Sequence, residues 1–76
     1  MDEKINELLA EILRIKCENI TDNLTMKDLD IWDSLKHMEL IAAIEQELKI
    51  ELSSDEIVSM QNVKEIKRIL KTKNLY

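Results

Sequence analysis

The stretch that decides the fold of this chain lies at positions 33–48, which read DSLKHMELIAAIEQEL. Apolar residues recur there every three or four positions, the spacing that predicts an amphipathic helix. Asp33 is a favoured N-cap because its carboxylate accepts hydrogen bonds from the unpaired amides of a first helical turn. This cap places Ser34 near the first helical position, where a hydroxyl tends to be exposed and the helix dipole favours a phosphate on it. No base is visible beside Ser34, so we assign no catalytic residue and expect a serine that carries a phosphodiester.

The same helix has two apolar faces when it is drawn as a wheel with about 100° per residue. A wide arc predicts the core face, formed by Leu40, Ile41, Ile44 and Leu48. A second, narrower apolar strip contains Leu35, Met38 and Ala42, with Glu39 and Glu45 beside it. Apolar anchors with a charged rim are typical of a helix that docks into a partner's groove. The alternative is that the strip is extra core packed under a loop and that Ser34 is only a helix start.

Length and composition predict one small helical domain. Its 76 residues fit a single domain over 1–76, near the lower size at which a core holds without disulfides or metals. The chain has no Gly and no Pro, and strand-like patterns are scarce. We therefore expect an all-α fold, a small four-helix bundle with three longer helices, one short third helix and a long loop between helices 1 and 2.

Helix 1 is predicted from about Glu3 to about Lys16, with Asp2 as its cap. Its buried stripe is expected to contain Ile5, Leu8, Leu9, Ile12, Leu13 and Cys17. Positions 18–33 show no clean period and hold many Asn, Asp and Thr residues. We expect them to form a long ordered loop that apolar side chains, among them Trp32, pin to the bundle.

Two cap signals place the last two helices. Ser53 and Glu56 have the spacing of a capping box and are expected to open the short helix 3. Asn62 followed by Glu65 predicts the start of helix 4. The buried stripe of helix 4 is expected to contain Val63, Ile66, Ile69 and Leu70.

The net charge of −5 is unevenly spread along the chain. Positions 64–76 hold five bases and one acid, a charge of +4, so the remainder carries −9. An acidic body argues against nucleic acid and anionic membranes as partners, and for enzymes with basic docking surfaces. The basic segment itself is expected to be a solvated helix face.

Few residues offer metal, redox or acid–base chemistry. One cysteine excludes an internal disulfide framework and a cysteine-cluster zinc site, and we expect no metal site. The single histidine, His37, is expected to pack against the Trp32 loop instead of acting as a ligand or base. No secretory or membrane-spanning segment is visible, so a cytoplasmic setting is expected. We also expect a monomer.

The stretch from Trp32 to Leu40 resembles the attachment motif of the acyl carrier protein family, which includes the peptidyl and aminoacyl carriers. Its Asp-Ser-Leu triplet is followed by Glu39 and Leu40 in the family's register. The resemblance continues through positions 43–52 and the short third helix, and the order of the elements also agrees. It covers essentially the whole chain.

This resemblance implies a carrier and not an enzyme. By it, Ser34 would receive 4′-phosphopantetheine from coenzyme A through a separate, magnesium-dependent phosphopantetheinyl transferase, with Asp33 as the helix cap beside it. The thiol of the arm would carry acyl or aminoacyl groups as thioesters between acyl-loading and acyl-processing enzymes. Positions that partner enzymes of the family read would be Leu35, Met38, Glu39, Ala42 and Glu45.

Two departures from the pattern of bacterial fatty-acid carriers stand out. Ile31 and Trp32 precede the Asp-Ser-Leu triplet where many such carriers have a Gly two residues before the Asp, and Lys36 stands where an acid is common. The Trp-Asp-Ser-Leu form resembles stand-alone carriers of specialised pathways: polyketide, nonribosomal peptide, or lipid and polysaccharide modification. The alternatives are a small helical protein-interaction adaptor and a carrier-like domain without the prosthetic group.

Overall fold

A computed structural model describes residues 2–73, with Asp2 by its backbone alone. It contains four α-helices: α1 (Asp2–Leu13), α2 (Ser34–Leu48), α3 (Ser54–Ser59) and α4 (Val63–Thr72). Two short 3₁₀ turns, Cys17–Asn19 and Met26–Asp28, lie in the segment between α1 and α2. No β-strand occurs in this range. The all-α prediction with a short third helix is confirmed, and the Asp2 side chain proposed as a cap lies outside the described part.

The core forms where the apolar faces of the helices meet. Lys4 near the start of α1 pairs with Glu47 near the end of α2 at 3.6 Å, so these two helices run antiparallel. The core side chains predicted for α1 and α2 are buried at Ile5, Leu9, Leu13, Leu40, Ile41 and Ile44 and partly buried at Leu8, Ile12 and Leu48. The predicted stripe of α4 is buried in full. Burial of each such side chain contributes about 1.5–3 kcal/mol, which makes this core the main source of stability.

Both long helices of the first half end without glycine. Arg14 and Lys49 adopt left-handed backbone angles, with φ of 59° and 57°. The chain then turns back, and the N–H of Ile50 donates to the carbonyl of Glu45 at 3.1 Å. This bond is the long-range bond of a Schellman motif, which satisfies a carbonyl that the helix leaves unpaired.

The end of α1 corrects two predictions. The helix stops at Leu13 and not near Lys16, because Arg14 takes the left-handed conformation and Ile15 donates back to Ala10 at 3.1 Å. Cys17 therefore leaves the helical register and lies exposed in a 3₁₀ turn, where the sequence predicted a buried position. Side chains three or four positions apart share one face only while the backbone is helical, so the buried stripe ends where the helix ends.

The loop at positions 18–33 is ordered by both side-chain and backbone contacts, as predicted. Trp32 is only 2% exposed and belongs to the core. Thr25 forms an isolated antiparallel bridge with Asn62, at the start of α4. On either side of it, Met26 donates to the carbonyl of Gln61 at 2.8 Å and Val63 donates to that of Leu24 at 3.0 Å. The loop is thus fixed to the start of α4.

The caps predicted for α3 and α4 are confirmed. Ser53 Oγ accepts from the N–H of Glu56 at 3.1 Å, and the Glu56 carboxylate accepts from the N–H of Ser53 at 2.8 Å. Asn62 Oδ1 accepts from the N–H of Glu65 at 2.7 Å. The Ser53 N–H, and then Lys73 at 3.1 Å, hold the pKa of Glu56 below its usual value. Glu56 therefore joins the start of α3 to the end of α4.

No helix within residues 2–73 combines the length and the apolar content that crossing a bilayer requires.

Candidate functional site

The site predicted from the sequence lies at the start of α2. Asp33 has an extended backbone, with φ −96° and ψ −174°, and its Oδ1 accepts from the N–H of Lys36 at 2.8 Å. Its carbonyl accepts the first intrahelical bond, from His37 at 2.8 Å. Asp33 is therefore the N-cap, and Ser34 is the first residue of a helix of fifteen residues.

The Ser34 side chain is accessible to solvent. The residue is exposed, and no group in the described part of the chain hydrogen-bonds to its Oγ. Among the first amides of α2, that of Lys36 is satisfied by Asp33, and the positive end of the helix dipole remains at this end. An exposed hydroxyl at the start of a helix fits a phosphodiester, because the dipole stabilises the negative charge.

His37 lies one turn beyond Ser34, but both nitrogens of its ring form hydrogen bonds with other residues. It is 7% exposed, and its Nδ1 accepts from Trp32 Nε1–H at 3.1 Å. Its other ring nitrogen lies 2.8 Å from the carbonyl of Ile57. Since a carbonyl can only accept, Nε2 must donate, which assigns the neutral Nε2–H tautomer. With both nitrogens bonded, His37 is placed as the predicted loop contact and not as a base for Ser34.

The second strip of α2 is exposed and not packed under the loop. Leu35 is 80% and Met38 52% exposed, and Ala42 is exposed as well. Glu39 lies at the rim of the strip and pairs with Lys36 at 3.0 Å. Large exposed apolar side chains beside charges mark a surface that can bind a partner.

Glu45 is placed differently from the other predicted recognition residues. It is half-buried, and its Oε2 accepts from the backbone N–H of Leu52 at 2.9 Å. Glu45 therefore ties α2 to the segment that leads into α3.

Sequence reasoning missed one exposed apolar residue near the site. Val58 on α3 is 66% exposed, and no expectation for its side chain followed from the sequence. It directly follows Ile57, whose carbonyl binds His37. The sequence held no signal for this exposure, because six residues are too few for a periodic stripe to show which side of α3 faces the core.

No group of three or more His, Cys, Asp or Glu side chains that could hold a metal ion occurs within residues 2–73.

Comparison with known proteins agrees with this geometry. A family model described as "Phosphopantetheine attachment site" matches residues 3–70. This chain belongs to that family. The acyl carrier protein of Buchnera aphidicola subsp. Schizaphis graminum is 35% identical over 74 residues, which cover 97% of this chain and 94% of that protein. The acyl carrier protein of Buchnera aphidicola subsp. Acyrthosiphon pisum (strain 5A) is 35% identical over 75 residues, 99% of this chain and 94% of the relative.

Membership in the family gives the coarse function. The chain is an acyl carrier protein and not an enzyme, and it carries covalently attached 4′-phosphopantetheine. Such carriers interact with a phosphopantetheinyl transferase and with acyl-processing enzymes. When bound, the arm supplies a terminal thiol that holds an acyl group as a thioester, while the protein supplies the anchoring hydroxyl and the surface that partners bind.

Proposed function

We propose that Ser34 is the residue that carries the 4′-phosphopantetheine arm, in a single carrier domain that spans residues 1–76. The observation that supports this is the exposed hydroxyl of Ser34 at the first position of α2, next to the Asp33 cap. This position gives a transferase access to Oγ and gives the resulting phosphodiester the favourable end of the helix dipole.

The attachment step needs only a nucleophilic oxygen from this chain. Ser34 Oγ attacks the phosphorus of coenzyme A that bears the pantetheine, an Oγ–P bond forms and the phosphoanhydride bond breaks. Adenosine 3′,5′-bisphosphate leaves, and the hydroxyl proton passes to a base of the transferase. The carrier does not supply that base, because the nearby His37 holds Trp32 and Ile57.

Partner enzymes are proposed to bind the strip of α2. The surface consists of Leu35, Met38, Glu39, Ala42 and Glu45, and we expect basic residues on the partner side. The exposure of Leu35 and Met38 supports apolar contact, and the exposed carboxylate of Glu39 supports electrostatic steering. Glu45 contributes charge at the edge of the surface while holding Leu52.

The pathway is proposed to be a specialised one that makes a polyketide, a nonribosomal peptide, or a modified lipid or polysaccharide. Support comes from the Trp-Asp-Ser-Leu form of the motif, which resembles that of stand-alone carriers of such pathways. We expect the carrier to act as a monomer in the cytoplasm, where coenzyme A-dependent modification would take place.

Intact mass measurement tests the attachment site. The chain is incubated with coenzyme A, magnesium and a broad-specificity phosphopantetheinyl transferase, and the expected gain is one phosphopantetheine. Ser34→Ala should abolish the gain. The matched control is Ser54→Ala, since Ser54 is likewise the first residue of a helix behind a side-chain cap and should leave the gain unchanged.

The same experiment separates the alternatives. An adaptor, or a carrier-like domain that has lost the arm, would show no mass gain under conditions that load a control carrier. A gain that persists in Ser34→Ala would move the attachment to another residue and overturn the proposal.

A further inference from the structure

A groove lined by basic side chains lies between α4 and the long loop. The cations of α4 stand at positions i, i+3, i+4 and i+7, so they share one face of the helix. Together with one acid of the loop they line the groove, at Asp22, Lys64, Lys67, Arg68 and Lys71. The volume of the groove is about 290 Å³. The bridge between Thr25 and Asn62 fixes the loop to the start of α4, so both walls are in place before any ligand binds.

Lys67 is the residue that indicates what the groove can bind. Its side chain is only 15% exposed, and its Nζ lies 3.6 Å from Asp22 Oδ1. That distance exceeds the length of a hydrogen bond, and the ammonium group makes no hydrogen bond with the described residues. A part-buried ammonium group whose N–H donors lack acceptors is unfavourable. The groove therefore favours an anion that brings acceptor oxygens to Lys67.

Asp22 is a weak competitor for such an anion. Its side chain is 66% exposed, and the pair with Lys67 is the contact that the structure gives its carboxylate. The carboxylate can therefore turn into solvent without breaking another contact among the described residues. Because an ion pair with one exposed partner contributes little to stability, an anion in the groove can replace Asp22 beside Lys67 at low cost.

The charge balance of the groove indicates an anion with two or more charges. Glu65 pairs with Arg68 on the same helix, and Asp22 pairs with Lys67. The four cations that line the groove and these two acids leave a net charge of +2. A singly charged anion would neutralise only half of this charge.

The surroundings of the groove favour a small ligand over a macromolecule. The chain outside positions 64–76 carries a net charge of −9. Screening at physiological ionic strength acts only beyond about 8 Å, so a nucleic acid or an anionic membrane extending past the groove would be repelled. A volume of about 290 Å³ lies near the lower limit of pockets that hold small molecules.

We propose that the groove between the loop and α4 binds the diphosphate group of a small molecule, with Lys67 as the central contact and Asp22 as the carboxylate that the ligand displaces. Phosphate oxygens are charged acceptors that suit lysine ammonium groups, and a diphosphate distributes its charge along the row of cations. Free pyrophosphate and the diphosphate of a nucleotide share this chemistry. The inference goes beyond the carrier function and does not depend on which residue holds the arm.

Isothermal titration calorimetry tests the proposal on the full chain in its phosphopantetheine-bound form. The probes are sodium pyrophosphate, adenosine diphosphate and citrate, without divalent metal and at an ionic strength held constant with sodium chloride. We expect saturable binding of one pyrophosphate per chain. Adenosine diphosphate that binds as tightly or more tightly supports a nucleotide source, and weaker binding of it supports free pyrophosphate. Citrate that binds as tightly as pyrophosphate would overturn the assignment to phosphate.

Two variants should change the affinity for pyrophosphate in opposite directions. Lys67→Gln should raise Kd by about fivefold or more, because the central charge is lost. Asp22→Asn should lower Kd by about twofold to fivefold, because the competing carboxylate is removed. A gain of affinity cannot come from a loss of folding, so Asp22→Asn tests the proposal even if Lys67→Gln destabilises the chain. An unchanged Kd in Asp22→Asn would overturn the displacement of Asp22.

A second ion pair provides matched controls. Lys4 and Glu47 are also 3.6 Å apart, and they line a different groove, on α1 and α2. Lys4→Gln and Glu47→Gln make the same changes of net charge as the two test variants and should leave Kd unchanged. If Lys4→Gln weakened binding as much as Lys67→Gln, the overall charge of the chain would hold the anion and the groove would be overturned as a site. Heat that does not saturate with pyrophosphate would have the same consequence.

Discussion

Glu45 Oε2 accepts the backbone N–H of Leu52 at 2.9 Å, so a residue expected to face partners also holds the connection between α2 and α3. Leu52 is 8% exposed, and water has little access to its amide if the carboxylate is removed. Structural and recognition effects are therefore mixed in any simple truncation of Glu45.

Two substitutions at Glu45 separate these effects. Glu45→Ala should lower the free energy of unfolding by about 1 kcal/mol or more, because it leaves a part-buried donor unsatisfied. Glu45→Gln keeps an acceptor and should retain most of the stability, so that any loss of transferase affinity reports the charge alone. Urea denaturation measures the first effect. As a control, Glu47→Ala removes only the exposed pair with Lys4 and should cost less than about 1 kcal/mol; equal losses for the two Ala variants would contradict the prediction.

Lys49→Gly should stabilise the carrier. Lys49 has φ 57°, a left-handed conformation that costs a residue with a Cβ about 1–2 kcal/mol. Glycine avoids this cost but loses more conformational entropy on folding, so the substitution recovers only part of it. We expect a gain of about 0.5–1 kcal/mol in the free energy of unfolding. Gln46→Gly, at an exposed position inside α2, should have the opposite sign. A loss of stability in Lys49→Gly would rule out the strain argument.

The pH dependence of stability should contain a contribution from Glu56. The Ser53 N–H and Lys73 lower the pKa of Glu56 in the folded state below the usual 4.5. A lowered folded pKa means that the contribution is present above the unfolded value and is lost as the pH falls through the folded value. Glu56→Gln keeps the capping-box acceptor and should flatten stability below about pH 4.5, measured by denaturation at several pH values.

Glu51→Gln is the control for this measurement. Glu51 is exposed in the connection before α3 and makes no hydrogen bond or ion pair with the described residues. The pH profile of this variant should follow the wild type. If Glu51→Gln flattened the profile as much as Glu56→Gln, the general loss of negative charge and not the capping box would be the cause.

We expect both apolar contacts and a salt-sensitive electrostatic attraction to contribute to docking on the second strip of α2. Leu35→Ala should raise the transferase KM several-fold while changing the free energy of unfolding by less than about 0.5 kcal/mol, since Leu35 is 80% exposed. Glu39→Lys should also raise KM and should reduce its dependence on salt, because a screened attraction is lost. Steady-state kinetics at two ionic strengths distinguish the two components. Identical salt dependence for Glu39→Lys and the wild type would exclude Glu39 from steering.

The sequence predicted the features that depend on local patterns. The Asp33 and Asn62 caps and the Ser53–Glu56 capping box are read from residues three apart, and the structure contains all of them. The core stripes of α1, α2 and α4 follow equally from the helical period. The exposed position of Ser34 could be inferred in the same way, because a cap fixes where a helix begins.

The features that sequence reasoning missed depend on contacts between elements or on backbone angles without a residue signal. An arginine gives no sequence signal for a left-handed conformation such as that of Arg14. The helical period therefore predicts too long an α1 and a buried Cys17. The sequence predicts only one of the two partners of His37. Trp32 is close in sequence, whereas Ile57 is brought near by tertiary packing. The exposure of Val58 follows from that same packing.

The bridge between Thr25 and Asn62 couples the stability of the long loop to that of α4. Asn62 pairs with Thr25 through its backbone and caps α4 through its side chain, so detaching the loop would also disturb the helix start. The amides of Met26 and Val63, which bond across this junction, should consequently exchange their hydrogens with deuterated solvent at similar rates, as members of one cooperative opening unit. The long loop and the last helix would then melt together and not in succession.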